Sequence, residues 1–190
     1  MENSNLLDYG PLALLAGIWE GQTGEDLAPD DSRVGVEKNN YRERLVLHPI
    51  GRIDNHDQKL YGLRYSTMAW RIGEKDSFHE EVGYWLWDSQ RQIVMRSFIV
   101  PRGVTVLAGG LVEPSALSFS LSASLGSPTF GICSNPFLDQ EFKTIKYELH
   151  LTIHDENSFS YDEDTHLSIK GMSEIFHHTD KHQLFRVPSS

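Results

Sequence analysis

The segment FHHTDKHQLFRV, Phe176 to Val187, holds three histidines: His177, His178 and His182. An imidazole can ligate a metal ion or a haem iron. Zinc asks for several ligand atoms at about 2.0–2.1 Å from the ion. On a strand, His177 and His178 point to opposite faces. His178 and His182 share a face but stand about 13 Å apart, at roughly 3.3 Å per residue. His150 and His154 repeat that spacing. These pairs therefore predict no metal site. A haem iron needs only one imidazole, and His178 is the axial candidate because the last strand begins there. The competing reading makes His178-Thr179-Asp180 a local hydrogen-bond cluster that shapes the start of the strand.

Two carboxylates stand together in FHEEVGYWLWD, Glu80 and Glu81. Adjacent strand residues point apart, so they do not form a matched acid and base. The second histidine of a zincin is missing. Glu81 shares a face with His79, Trp85 and Trp87. An outward face would expose two tryptophans as an apolar patch. Glu81 is therefore expected inside, paired with Arg64, Arg96 or Arg102. Ser134 has no nucleophile elbow around it, and Gly109-Gly110 lacks the pattern of a phosphate loop. The single cysteine, Cys133, excludes an internal disulfide and a cysteine-rich zinc site. No catalytic set emerges from these residues.

The elements that must position such groups are strands. ALSFSLSASL, Ala116 to Leu125, puts Leu117, Phe119, Leu121, Ala123 and Leu125 on one face and four serines on the other. That period of two marks a half-buried antiparallel strand. Tyr147, Leu149, Leu151 and Ile153 repeat it against Glu148, His150 and Thr152. Strands are predicted at about 17–24, 38–49, 59–70, 77–88, 91–100, 102–111, 115–125, 141–154, 157–169 and 179–187. Polar turns such as Asp54-Asn55-His56-Asp57 separate them. Pro11 to Gly17 is the one short helical candidate. Two longer connections, Glu25 to Val36 and Gly126 to Asp139, are candidates for a cavity mouth. The expected fold is all-β: a closed antiparallel barrel of about ten strands with a short N-terminal helical plug, forming one domain over 1–190. Closure removes sheet edges and leaves room for a ligand. A β-sandwich is the alternative.

The chain has 190 residues, 39% of them hydrophobic, and a net charge of −10. That supports a folded core and argues against a nucleic-acid or anionic-membrane partner. The start MENSNLLDYG lacks a signal-peptide pattern, and no run reaches the length of a membrane span. A cytoplasmic, bacterial-type protein is expected. The residues do not set an oligomeric state.

Several ordered segments carry a resemblance: the GxWxG of Gly17-Ile18-Trp19-Glu20-Gly21, the preceding Leu12-Ala13-Leu14-Leu15, FHEEVGYWLWD, MRSFIVPRGVTVLAGG, and HTDKHQLFRV near the end. Together, from about Leu12 to Val187, they resemble the nitrobindin-like family of fatty-acid-binding-protein-like barrels. The resemblance implies a ten-stranded barrel and a hydrophobic pocket holding haem b through one histidine near the start of the last strand. It also implies peroxynitrite isomerase-like or nitric oxide chemistry. An ungapped count puts that ligand at Thr179. His178 lies one residue earlier, on the other face of a regular strand, so turning His178 inward would need a bulge near Phe176 to Thr179.

The predicted ligand pocket is built from Trp19, Glu81, Trp85, Leu117, Phe119, Leu121 and Tyr147, with His178 as the haem-axial candidate. The expected partner is a small, largely apolar molecule, and haem b is the named cofactor candidate. A non-catalytic fatty-acid-like carrier is the alternative, with Arg64 or Arg96 and Tyr147 binding a carboxylate. A cavity filled by its own side chains is a third reading. Trp19 is expected to pack near Arg186, because the first and last strands must pair to close the sheet.

Overall fold

The computed structural model describes residues 6–188. Its strands are β1 (Gly17–Pro29), β2 (Val36–Asn55), β3 (Gln58–Arg71), β4 (His79–Asp88), β5 (Ile93–Val100), β6 (Val104–Leu111), β7 (Ser118–Ser124), β8 (Ile132–Ser134), β9 (Phe142–Asp155), β10 (Ser158–Ile169) and β11 (Phe176–Arg186). Ten of them form an antiparallel ring in the order β1-β2-β3-β4-β5-β6-β7-β9-β10-β11, and β11 pairs back onto β1. The short β8 lies beside β6, where β6 and β7 meet at a single bridge, Gly109 to Ser122. Closure pairs the backbone groups that an open sheet would leave at its edges.

The alternation places the core as its period requires. Along β7, Phe119, Leu121 and Ala123 are buried and the serines exposed. Leu117 departs from the expectation. The ladder begins at Ser118, and Leu117 only lends its carbonyl to the Ile153 N–H at 2.7 Å. Its side chain emerges beyond the wall and is 53% exposed. Leu117 is thus not part of the pocket.

Two long connections are more ordered than their composition suggests. β1 runs on to Pro29 and β2 starts at Val36, leaving a turn of only residues 30–35. The second carries β8 and a short helix α1 (Pro136–Glu141), capped by the Asn135 side chain, which accepts from Phe137 N and Leu138 N.

The floor is a 3₁₀ segment, Leu6–Leu15, which starts earlier than the predicted helical turn and kinks at Gly10. Tyr9, Leu12 and Leu15 are fully buried beneath the barrel. Trp19 is also fully buried. Its Nε1 donates to the Leu15 carbonyl at 2.8 Å, its ring meets Phe159 edge-on, and the Arg186 guanidinium lies 4.2 Å above it. Trp19 and Arg186 are directly paired across β1 and β11. Arg186 also donates to the Leu14 and Ala16 carbonyls, tying the floor to the last strand. Both glycines of GxWxG are needed for close approach. A Cβ at Gly17 would strike the Arg186 guanidinium, and one at Gly21 would strike the His182 ring. No helix of the described residues is long and apolar enough to cross a membrane.

Candidate functional site

Above the floor the barrel encloses a cavity of about 890 Å³. That volume falls in the range of small-molecule sites, roughly 300–1,000 Å³. Its lower wall is apolar, with Leu15, Leu47, Trp85, Leu151 and Phe159. Its mouth is lined by Asp30, Asp31 and Arg33 from the first long connection and by Leu138 of α1 from the second. The middle of the wall is polar, and it carries the chemistry.

Glu81, Tyr65, Arg96, Tyr147 and Glu163 form one cluster from β3, β4, β5, β9 and β10. Arg96 is the predicted partner of Glu81, donating Nη2 to Oε2 at 2.7 Å. Arg64 points outward, and Arg102 lies at the mouth. The other arm of Arg96 donates to Glu163 and Tyr147. The Tyr65 hydroxyl donates to Glu81 at 2.9 Å, and Tyr147 donates to Glu163 at 2.8 Å. The guanidinium also lies 4.6 Å from the Phe98 ring centre. Burial opposes the charge on Glu81, but Arg96 and His79 outweigh it and hold its pKa well below the usual carboxylate range. Burial dominates at Glu163 and pushes its pKa up, despite the same guanidinium.

His79 stands above Glu81, with Nε2 3.2 Å from its Oε1. Burial lowers the affinity of His79 for its proton. The hydrogen bond and charge of Glu81 reverse that and raise its pKa from 6.5 to about 9. A raised histidine stabilises the fold fully below pH 6.5, and that stabilisation is lost as pH rises through about 9. The ring is 42% exposed, so solvent screens part of the effect. Chemical unfolding between pH 6.5 and 9.5 is expected to show stability declining with pH in the parent and a flatter profile in His79→Gln. Parallel profiles would contradict the assignment.

The second cluster lies on the last strand and its neighbours. His178, Asp180 and His182 all face inward, and Thr179 faces outward opposite Leu27. The β10–β11 register is unbroken from Ser158 to Leu167, so no bulge turns His178 in. The expected need for one fails because the strand's own parity already has His178 inside. His178 Nε2 lies 2.7 Å from Asp26 Oδ1, and Asn39 donates to the other Asp26 oxygen at 3.1 Å. Burial raises the Asp26 pKa, but His178 and Asn39 outweigh it, leaving an ionised acceptor. The hydrogen between Asp26 and His178 therefore sits on Nε2.

His182 is wholly buried. Its Nε2 accepts from the Thr23 N–H at 3.2 Å, beside the irregular register of β1 between Gly21 and Gly24. Its Nδ1 then carries the proton and donates to Glu43 Oε2 at 3.1 Å. Thr67 and Tyr161 also donate to Glu43, at 2.6 and 2.7 Å. Tyr41 donates to Asp180. Burial, with the repulsion of Glu163 next, raises the Asp180 pKa well above its ordinary value.

Of the predicted pocket residues, Glu81, Trp85, Tyr147 and His178 line the cavity. Trp19 and Phe119 are core residues below and beside it. Leu121 packs in the wall, with backbone reaching the outer face. Sequence reasoning missed Glu43, Glu163 and Asp26, and it read Asp180 only as a local partner of His178 and Thr179, whereas His178 pairs with Asp26 and Asp180 with Tyr41. A signal was present, since Glu43 occupies the inward parity of Tyr41, Leu45 and Leu47.

A closed antiparallel barrel with a floor plug and a mid-wall polar ring defines a ligand-cavity barrel of the fatty-acid-binding-protein type. The chain belongs to the THAP4-like, heme-binding beta-barrel domain family, whose profile matches residues 8–186. This agrees with the resemblance read from the GxWxG start and the last strand. The crystal structure of Rv2717c from M. tuberculosis has the same fold, with a TM-score of 0.63 and 17% identity over 97% of this chain and 99% of that one. No curated protein matches the chain.

The family's ligand poses a fit test for the interior. A haem iron needs an inward imidazole nitrogen with a lone pair and a flat apolar slot. Among the inward histidines, His182 has both ring nitrogens engaged and His79 is held protonated by Glu81, whereas His178 donates only Nε2 to Asp26 and keeps a lone pair on Nδ1. The wall around His178 is acidic, with Asp26, Asp180 and Glu163. His178 offers a nitrogen, but the acidic lining around it does not fit the flat apolar slot of a haem.

Proposed function

We propose that the protein binds a small, largely apolar molecule in its barrel, with the apolar body on the floor and a hydrogen-bond-donating group against the mid-wall carboxylates. The observation that carries this reading is the pairing inside the cavity. Of the guanidiniums that line it, the buried one, Arg96, is held by two carboxylates and two tyrosines. A fatty-acid carrier places a guanidinium where it can receive the ligand's carboxylate. Here a second carboxylate would meet Glu43, Glu163 and Asp180 instead, at the cost of like-charge repulsion or protonation. A neutral or cationic donor meets acceptors.

The acidic wall argues against a haem-dependent reaction with nitrogen oxides, because the surroundings of His178, which keeps a lone pair on Nδ1, are not the flat apolar slot a haem needs. Binding without catalysis is the function proposed. The fluorescence of N-phenyl-1-naphthylamine, an apolar secondary amine, tests it against that of cis-parinaric acid, an apolar carboxylate. The amine is expected to saturate at one site and to quench the tryptophan emission that Trp85 contributes from the wall. The acid is expected to bind at least about tenfold more weakly, a difference of roughly 1.4 kcal/mol. Equal or tighter binding of the acid would reverse the assignment.

A further inference from the structure

We propose that the outer face of the barrel carries a divalent transition-metal site built from Asp164 and His166 of β10 and His177 of β11. The site lies on the opposite side of the wall from the cavity and is independent of the ligand proposed there. Asp164 and His166 are two residues apart and so share the outer face of β10. His177 is the direct cross-strand partner of His166, and the two rings stand 4.4 Å apart between centres. The β9–β10 register shifts between His166 and Leu167. Such irregularities re-aim side chains.

The donor atoms are already gathered. One atom each of Asp164, His166 and His177 lies within 4.8 Å of the others. His177 Nδ1 is 2.7 Å from Asp164 Oδ2, and His166 Nε2 is 3.2 Å from the same oxygen. Ligands at about 2.0–2.1 Å around a tetrahedral zinc stand about 3.3 Å from one another. Glu148 Oε2, at 3.2 Å from His166 Nε2, offers a fourth donor from β9, although it also pairs with Lys146 at 2.9 Å.

A second observation points to a ligand. His166 Nε2 and Asp164 Oδ1 are both buried, and among the described residues neither makes a hydrogen bond. His166 Nε2 is close to two carboxylates but aligned with neither, so proximity does not satisfy it. Buried polar atoms without partners are costly, and a cation bound between them supplies the missing interaction. Two imidazoles and a carboxylate suit zinc, nickel or copper, and do not suit calcium or magnesium. The net charge of −10 favours cation approach.

Isothermal titration of the chelator-treated protein with zinc chloride tests the site. One equivalent is expected to bind, with a thermal shift upwards. His177→Ala changes a half-exposed side chain and is expected to weaken binding by more than about tenfold, since one of three protein donors is lost. His166→Asn should do the same. His150→Ala, an exposed histidine on the same outer surface, should leave binding unchanged, as should His178→Ala inside the barrel. Absent stoichiometric binding would overturn the proposal. So would binding unaltered by His177→Ala, or lost equally in His150→Ala. The cavity-probe fluorescence reports separately on the ligand site.

Discussion

Replacing Arg96 with methionine is expected to lower the unfolding free energy by about 3–5 kcal/mol, the range found when one member of a buried charge group is removed. The guanidinium is 8% exposed and stands between Glu81 and Glu163, which are 6% and 14% exposed. Methionine fills much of the volume, so the loss reports the carboxylates left behind rather than a cavity. Those carboxylates can escape only by taking up protons. Without Arg96 the folded pKa of Glu81 moves above the unfolded value, and that of Glu163, already raised by burial, moves further up. The deficit is therefore absent below that unfolded value and grows as pH rises through it. Urea midpoints at acid and neutral pH check both the size and the sign. Adding Glu81→Gln and Glu163→Gln to Arg96→Met should recover part of the loss. A change below about 1 kcal/mol at neutral pH, or a deficit that grows towards acid, would contradict the paired arrangement.

Trp19→Ala is expected to cost a similar amount, about 3–5 kcal/mol, from lost transfer energy and the cavity left behind. Trp19 joins the floor segment, β1 and β11 at once, through the Leu15 carbonyl, Phe159 and Arg186. Its loss should loosen the Leu6–Leu15 segment and the β1–β11 seam together. Faster amide exchange at Val187, whose N–H donates to the Ile18 carbonyl across that seam at 2.8 Å, would show it. A neutral stability change, or a loss with exchange at the seam unaltered, would remove Trp19 from this role.

Much of the fold is legible in the chain. The serine alternation of Ser118–Ser124 and the leucine alternation of β9 fix which side chains face in, because the strand period is two. The ends of strands are less legible. Leu117 fits the alternation but lies one residue outside the ladder, and periodicity carries no signal for where pairing stops. Within the site, Glu81 was found because its tryptophan neighbours force its face. Glu163 and Arg96 are 67 residues apart in the chain, and only barrel closure brings them together. The outer cluster was missed for the same reason. Spacing along one strand rules out His177 with His178 and His178 with His182, but His166 and His177 meet across a hairpin whose register the residues alone do not state.

The claim that the acidic interior does not suit a haem is tested most directly by titrating the protein with hemin and recording the Soret region. A broad band that does not saturate, and that is the same in His178→Ala, is expected. A sharp band saturating near one equivalent and lost in His178→Ala would mean that His178 ligates the iron through Nδ1 while Asp26 holds its Nε2 hydrogen, and that the acidic wall accepts the cofactor.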